Sequence, residues 1–306
     1  MSWSEDSIHR WLSRREKPRL LRGSRGHDAA VLAPPVGRDV CCVDQTIEGV
    51  HFEAGTPAAK VGLKAAGRAL SDLAATAAAP RALLLALSAP SECSESWIRS
   101  VIAAVAKRGA EFGADLVAGD LAAAPGPCSL SVTALGTLEG NARPPGRDRI
   151  RARDVLVTTG ALGGSRARRH LHIEPRVSEG RWLFENGARA MMDVSDGLAL
   201  DLWRMARASE VQIRLEAVPI HRDAKRVAKQ DDQTALWHAM HDGEDHELLA
   251  SLSPAAWKRV RETPRGAQLH YLGRAAAGRG LRLAAGLLSE KAGNWKPADG
   301  GYLHGR

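Results

Sequence analysis

Cysteine is scarce in this 306-residue chain. Its four residues, Cys41, Cys42, Cys93 and Cys128, show neither CxxC spacing nor a dense framework. A disulfide-stapled scaffold and a thiolate zinc site are not expected on that ground, and the cysteines read as small core residues. No run of about 18 uninterrupted apolar residues occurs, so no membrane-spanning helix is expected. The opening MSWSEDSIHRW carries charge where a secretory leader would be apolar, and the chain reads as cytoplasmic. Lysine is scarce as well: it supplies only 9 of the 43 basic residues, and the arginines are dispersed. Their densest runs, residues 143–153 and 166–169, are interleaved with Gly, Pro and Ala and carry no aromatic pattern on which bases would stack. The net charge of +8 therefore speaks for attraction of anionic small molecules, or for an arginine-heavy surface, rather than for a nucleic-acid partner. The commonest phosphate loop, GxxxxGKS/T, is also missing. TTGALGGS (158–165) has neither the Walker lysine nor a dinucleotide fingerprint.

A hydrophobic content of 44% over this length supports one large or two ordinary α/β domains. A short helix is expected near residues 5–14, then a basic loop and the apolar run AAVL (29–32). DVCCVDQTIEGVHF (39–52) reads as one or two strands. Pro57 suits the first turn of an alanine-rich helix that Pro80 is expected to stop. ALLLALS (82–88) reads as a buried strand, 94–112 as a helix, ADLVAGD (114–120) as a strand, and SLSVTALGTL (129–138) alternates as a half-buried strand does. The Gly, Pro and Arg-rich stretch 139–153 is the best domain boundary, giving expected domains 1–142 and 143–306. Beyond it the order restarts with a DVLVTTG strand, a glycine turn, a helix, an AMMDV strand, a helix from Gly197, a VQIRLE strand, then HELLASL, a helix from Pro254 and QLHYLG. Alternating elements predict α/β (α+β) layers in both halves.

Acids end many of these runs. Asp28 precedes a strand-like run, Asp44 ends CCVD, Asp72 lies in ALSDLAA, Asp120 ends LVAGD, and Asp193 and Asp196 end AMMDVSD. If they converged they would repel one another, and a divalent cation would remove that conflict. Hard oxygen ligands without a His or Cys cluster favour Mg²⁺, which in such sites bridges substrate phosphates. Scattered helix caps and turn residues are the plain alternative, above all for Ser195 and Asp196 before Gly197.

GHDAAVL (26–32), VDQTIEGVHF (43–52), ALSDLAATAAAP (69–80), AGDLAAAPG (118–126), DVLVTTGALGGS (154–165), MDVSDGLALDL (192–202) and DGEDHELL (242–249) resemble, in order and approximate spacing, the thiamine-monophosphate kinase family. That family belongs to a superfamily with aminoimidazole ribonucleotide synthetase, selenophosphate synthetase and a hydrogenase maturation protein. The resemblance covers about nine tenths of the chain. It implies a two-domain aminoimidazole ribonucleotide synthetase-like fold, with an N-terminal domain that pairs with a second copy into a barrel-like homodimer sheet and a C-terminal mixed α/β domain. The implied reaction moves the γ-phosphoryl of ATP to thiamine monophosphate with Mg²⁺ and no protein nucleophile. Residue by residue, Asp28, Asp44, Asp72, Asp120, Asp193 and Asp196 match the family's magnesium ligands. Gly119, Asp120, Arg147 and Ser195 match nucleotide contacts, with Arg149 close to Arg147. His51, Glu244 and Tyr302 match positions lining the thiamine phosphate site.

The chain departs from the family pattern at several of these places. His27 stands for the first acid of GDD, Cys42 and Val43 for a hydroxyl pair, Leu121 and Ala122 for two threonines, and His246 for the tyrosine of GEDYEL. The resemblance therefore leaves two further readings beside the kinase: a superfamily enzyme with a different acceptor, and a nucleotide-binding relative that has lost catalysis.

Overall fold

The computed structural model describes residues 3–22, 29–287, 293–297 and 300. It divides into two compact units, Met1–Leu73 with Ala78–Asn141 and Leu171–Ile173, and Ala74–Ala77 with Ala142–His170 and Glu174–Arg306. No helix among the described residues is long and apolar enough to cross a membrane.

The N-terminal unit runs α1 (Glu5–Ser13), β1 (Leu21–Arg22), β2 (Val31–Leu32), β3 (Arg38–Ile47), α2 (Ala58–Ala75), β4 (Ala79–Ala89), α3 (Glu95–Glu111), β5 (Asp115–Ala123) and β6 (Ser129–Leu138). Its main sheet has the order β3-β6-β4-β5, antiparallel except for the β4–β5 pair. Strict alternation along β6 puts Leu130, Val132 and Ala134 into the core and Ser131, Thr133 and Leu135 on the other face. On the core face, Val61, Ala65, Ala69, Leu70 and Leu73 of α2 bury against Leu83, Leu85 and Val132. Ser94 caps α3 by accepting the Trp97 N–H at 3.2 Å, worth about 1 kcal/mol. The opposite face stays half open, and Val43 is 62% exposed there.

One helix boundary differs from expectation. Pro80 lies inside β4 and does not stop α2. The helix ends because Ala77 adopts φ 60°, which lets the Ala77 N–H reach Ala74 O and the Ala78 N–H reach Leu73 O, each at 3.0 Å. This is the Schellman closure, with alanine where glycine is usual, so the composition carried no sign of it.

The C-terminal unit continues β7 (Val155–Thr158), α4 (Val177–Glu185), β8 (Ala188–Asp193), α5 (Leu198–Ala208), β9 (Gln212–Leu215), α6 (Arg222–Val227), α7 (Ala235–His241), β10 (Leu248–Leu252), α8 (Pro254–Val260), β11 (His270–Ala276), β12 (Gly280–Leu283) and β13 (Gly293–Trp295). These strands form one sheet, β13-β12-β9-β11-β7-β10-β8, in which only the β9–β12 pair is parallel. Leu198, Leu202 and Met205 of α5 bury with Met192, Ile213, Leu249 and Leu272. The helices α6 and α7 are absent from the sequence reading above.

Candidate functional site

In the N-terminal unit, Asp44 and Asp72 lie on the core side of the sheet near the Cys42 thiol. Burial first, then the two carboxylates, push that thiol above its ordinary range. Cys42 Sγ donates to Ala69 O on α2 at 3.3 Å, and Arg68 pairs with Asp44 at 3.4 Å. Strand register carries this face across the sheet: Asp44 is opposite Val132, Val132 opposite Leu85, and Leu85 opposite Gly119. A Cβ on Gly119 would lie 2.3 Å from Leu85 O, so only glycine allows the strands this approach. Asp120, one residue on, falls in the row of Ala86, Ser131 and Gln45 on the half-open face, and is exposed. Asp44 and Asp120 thus occupy opposite faces of one sheet. Leu121 returns to the core side and packs there.

His51 follows β3 in the turn of residues 48–52. Its Nδ1 accepts the Ile47 N–H at 3.1 Å, which leaves Nε2 as the ring's N–H, and its carbonyl accepts from the fully buried Lys64.

In the C-terminal unit, β8 ends at Asp193 and α5 begins after Gly197, as the sequence pattern predicts. The loop between them is not a side-chain cap, contrary to the alternative for Ser195 and Asp196. Neither side chain caps α5. Instead Asp201, fully buried in the first turn of α5, reaches back, and its Oδ2 accepts the backbone N–H of Ser195 at 3.1 Å and of Asp196 at 3.0 Å. Arg204 donates to Asp201 Oδ1 at 3.1 Å and also to Asp196. Burial, then the nearby Asp196, push Asp201 up to about 7.

The segment DGEDHEL runs beside this loop. The Glu244 N–H donates to Ser195 O at 2.7 Å and the His246 N–H to Val194 O at 2.9 Å. A Cβ on Gly243, where φ is 70°, would lie 2.6 Å from Ser195 O. His246 Nδ1 is 2.9 Å from Asp193 Oδ2, so the imidazole pairs with the acid that ends β8. Glu244 lies 3.4 Å from His170. The structure therefore brings Asp193, Ser195, Asp196 and Glu244 together within one unit.

Behind them is a charged network that the sequence reading missed. Glu247, 2% exposed, accepts from Arg176 at 2.7 and 2.8 Å and from the Thr159 hydroxyl at 2.6 Å. Asp245 accepts from Arg169 and from the Gly163 N–H, the latter at 2.8 Å, yet its burial outweighs the guanidinium and pushes it up to about 8. The available signal was four acids in DGEDHEL directly before an apolar strand, since acids in such a position require buried partners. A cavity of about 390 Å³ beside Thr159 and Arg176 is lined by none of the residues singled out from the sequence.

Arg147 is exposed, whereas Arg149 donates to the carbonyls of Arg143 and Pro144 at 3.1 and 2.6 Å and so holds its own loop. Asp28 and Tyr302 lie outside the described residues. Among the described residues, no three His, Cys, Asp or Glu side chains converge as a ready metal cage.

Residues 26–138 match the family model described as AIR synthase related protein, N-terminal domain. A thiamine-monophosphate kinase of Rhodopirellula baltica is 35% identical over 279 residues, covering 87% of each chain. The crystal structure of a thiamine-monophosphate kinase from Stenotrophomonas maltophilia superposes with a TM-score of 0.78 at 31% identity, over 93% of this chain and 98% of that one. A chain described as AaThiL complexed with AMPPCP and TMP superposes with a TM-score of 0.77 at 24% identity, over 98% and 95%, a likeness of fold. The fold, the ordered motifs and the extent of identity place this chain in the thiamine-monophosphate kinase family.

Proposed function

We propose that this protein transfers the γ-phosphoryl group of ATP to thiamine monophosphate, giving thiamine diphosphate. The observation that carries the reading is identity to a thiamine-monophosphate kinase at 35% across 87% of both chains. Supporting it is the cluster of Asp193, Ser195, Asp196 and Glu244, four of the matched positions held together by backbone bonds between two segments. A phosphate oxygen of the acceptor is the nucleophile, so the chain's task is to position charge. Gly119, Asp120, Arg147 and Ser195 contact the nucleotide, and His51, Glu244 and Tyr302 the thiamine phosphate. Ser195 is suited to this because Asp201 fixes its backbone from behind. His51 is suited because Nδ1 is already used and Nε2–H points to donation.

Mg²⁺ supplies neutralisation of phosphate charge when bound. The donor chemistry fits it, since Asp44 and Asp72 both lie beside the Cys42 thiol, and Asp193, at the end of β8, and Asp196, in the loop after it, both lie near Asp201. A cation that keeps several waters and takes further ligands from phosphates does not need a closed cage. Asp28 and Asp120 complete the proposed ligand set. The two domains of this reading are 1–142, which binds ATP and metal and dimerises, and 143–306. A second copy would cover the half-open sheet face bearing Val43, Leu84 and Leu135 and complete the homodimer. Cytoplasmic location follows from the biosynthetic role.

The test is incubation of purified protein with ATP, Mg²⁺ and thiamine monophosphate, followed by chromatography. Thiamine diphosphate is expected. Nucleotide binding without product across a range of Mg²⁺ would support the lapsed relative, for which Leu121 packed in the core and the Cys42 thiol beside Asp44 are the specific observations. Turnover of ATP with only another acceptor would support the wider superfamily.

A further inference from the structure

Cys93 lies half-buried in the connection between β4 and α3, its N–H bonded to Pro90 O at 3.0 Å. Cys128 directly precedes β6 and is 4% exposed. The two are 35 residues apart in the chain, and their Sγ atoms are 3.7 Å apart. Both are free thiols, as are Cys41 and Cys42. A disulfide requires a sulfur separation of about 2.05 Å, so about 1.7 Å must be closed, within the swing of two χ1 rotations. The other two cysteines have no such option. As neighbours on β3 they project to opposite faces, Cys41 outward and Cys42 onto Ala69 of α2.

We propose that Cys93 and Cys128 form a reversible oxidative modification site that takes a peroxide as oxidant and closes to an intramolecular disulfide. The Cys93 thiolate attacks one oxygen of hydrogen peroxide. The O–O bond breaks, hydroxide leaves and is protonated to water, and Cys93 becomes a sulfenic acid. Cys128 sulfur then attacks Cys93 sulfur, and its thiol proton leaves with the displaced hydroxide as a second water. Two thiols lose two electrons and one peroxide gains them. A dithiol reductant reverses the product by exchange.

Cys93 is the entry point because it is the more exposed of the pair. Burial, and then contact with Cys93, push the Cys128 thiol up to about 12, so Cys128 is not the site of peroxide attack; its resolving role rests on its sulfur lying 3.7 Å from that of Cys93. The new bond would form at a strategic place. Cys128 N–H donates to Glu48 Oε2 at 3.0 Å and Glu48 N–H donates to Cys128 O at 2.9 Å. The disulfide therefore ties the β4–α3 connection to the anchor of the turn that carries His51.

The test treats the full chain with hydrogen peroxide at low molar excess, then alkylates free thiols under denaturing conditions and measures mass. Before alkylation the expected product is lighter than the untreated chain by about 2 Da, the mass of two hydrogens; after alkylation it carries two alkyl groups instead of four, and it yields a linked peptide pair containing Cys93 and Cys128. Titratable thiols fall from four to two, and dithiothreitol restores all four. Cys93→Ser and Cys128→Ser each abolish the mass loss, and Cys41→Ser keeps it. If Cys128→Ser does not fold, Cys93→Ser, at the more exposed position, carries the comparison alone. Four thiols remaining after treatment, or Cys93 converted to a sulfinic acid without the linked pair, would overturn the proposal. The readout is covalent and independent of any kinase activity.

Discussion

Asp201 accepts the backbone N–H of Asp196 at 3.0 Å from a fully buried position one helical turn into α5. With the Ser195 N–H on the same oxygen and Arg204 on the other, one carboxylate sets the shape of the loop between β8 and α5. Asp201→Ala leaves two backbone donors without their acceptor and Arg204 with Asp196 as its remaining partner. We expect a loss of about 2–4 kcal/mol in urea unfolding and a fall in phosphorylation rate of about tenfold or more. Wild-type values for both would remove Asp201 from this role.

Two buried acids set a pH dependence. Asp201 is pushed up to about 7 and Asp245 to about 8, in each case mainly by burial. In the unfolded chain both release their protons near 3.8. From there up to the folded values the native chain holds protons that the unfolded chain has given up, so stability falls as pH rises through that window. Each group contributes on the order of a few kcal/mol across the window. Asp245→Asn mimics the protonated acid, and Asn can still accept from Gly163. Melting temperatures between about pH 5 and pH 8 should fall less steeply for that variant than for wild type. Parallel curves would show that Asp245 does not titrate there.

The acids proposed as metal ligands make a third prediction. Asp44→Asn, Asp72→Asn and Asp120→Asn should each weaken Mg²⁺-dependent binding of a non-hydrolysable ATP analogue by about tenfold or more, measured calorimetrically across Mg²⁺ concentrations. Unchanged affinity for Asp44→Asn or Asp120→Asn would withdraw that residue from the ligand set. Because these two lie on opposite sheet faces, their effects should add rather than overlap if each acts independently.

Val43 tests the proposed homodimer. It is 62% exposed on the half-open face, and Val43→Glu would place an unpaired charge in any interface formed there. Sedimentation should show the dimer dissociation constant raised by about a hundredfold or more, with circular dichroism unchanged. A dimer of wild-type strength would place the contact elsewhere.

Much of the fold was legible because periodicity reports burial directly. SLSVTALGTL became β6 at its full predicted length, since a face packed against helices forces alternation. Helical spacing over 94–112 announced α3, and AMMDVSDGL announced a strand, a loop and a helix. The end of α2 was illegible because the residue in the left-handed conformation is Ala77, and alanine carries no turn signal. The helices between His221 and His241 were missed because they are short, and short helices owe their stability to packing more than to propensity.

The candidate site divides along the same line. Sequence by itself determined that Asp193 ends β8, and the order of motifs that places the chain in its family, because both are properties of one dimension; Asp44 and Asp120, which end apolar runs in the sequence, lie inside β3 and β5, because pairing with β6 and β4 carries those strands on to Ile47 and Ala123. Tertiary structure decided which of those residues share a face. Asp44 and Asp120 both end apolar runs, but registers running through β6 and β4 put them on opposite sides of the sheet, and no local pattern encodes register between distant strands. It also decided that Ser195 and Asp196 are held by Asp201 rather than capping the helix themselves. A buried carboxylate must find donors, and only the folded loop brings two backbone N–H groups within its reach.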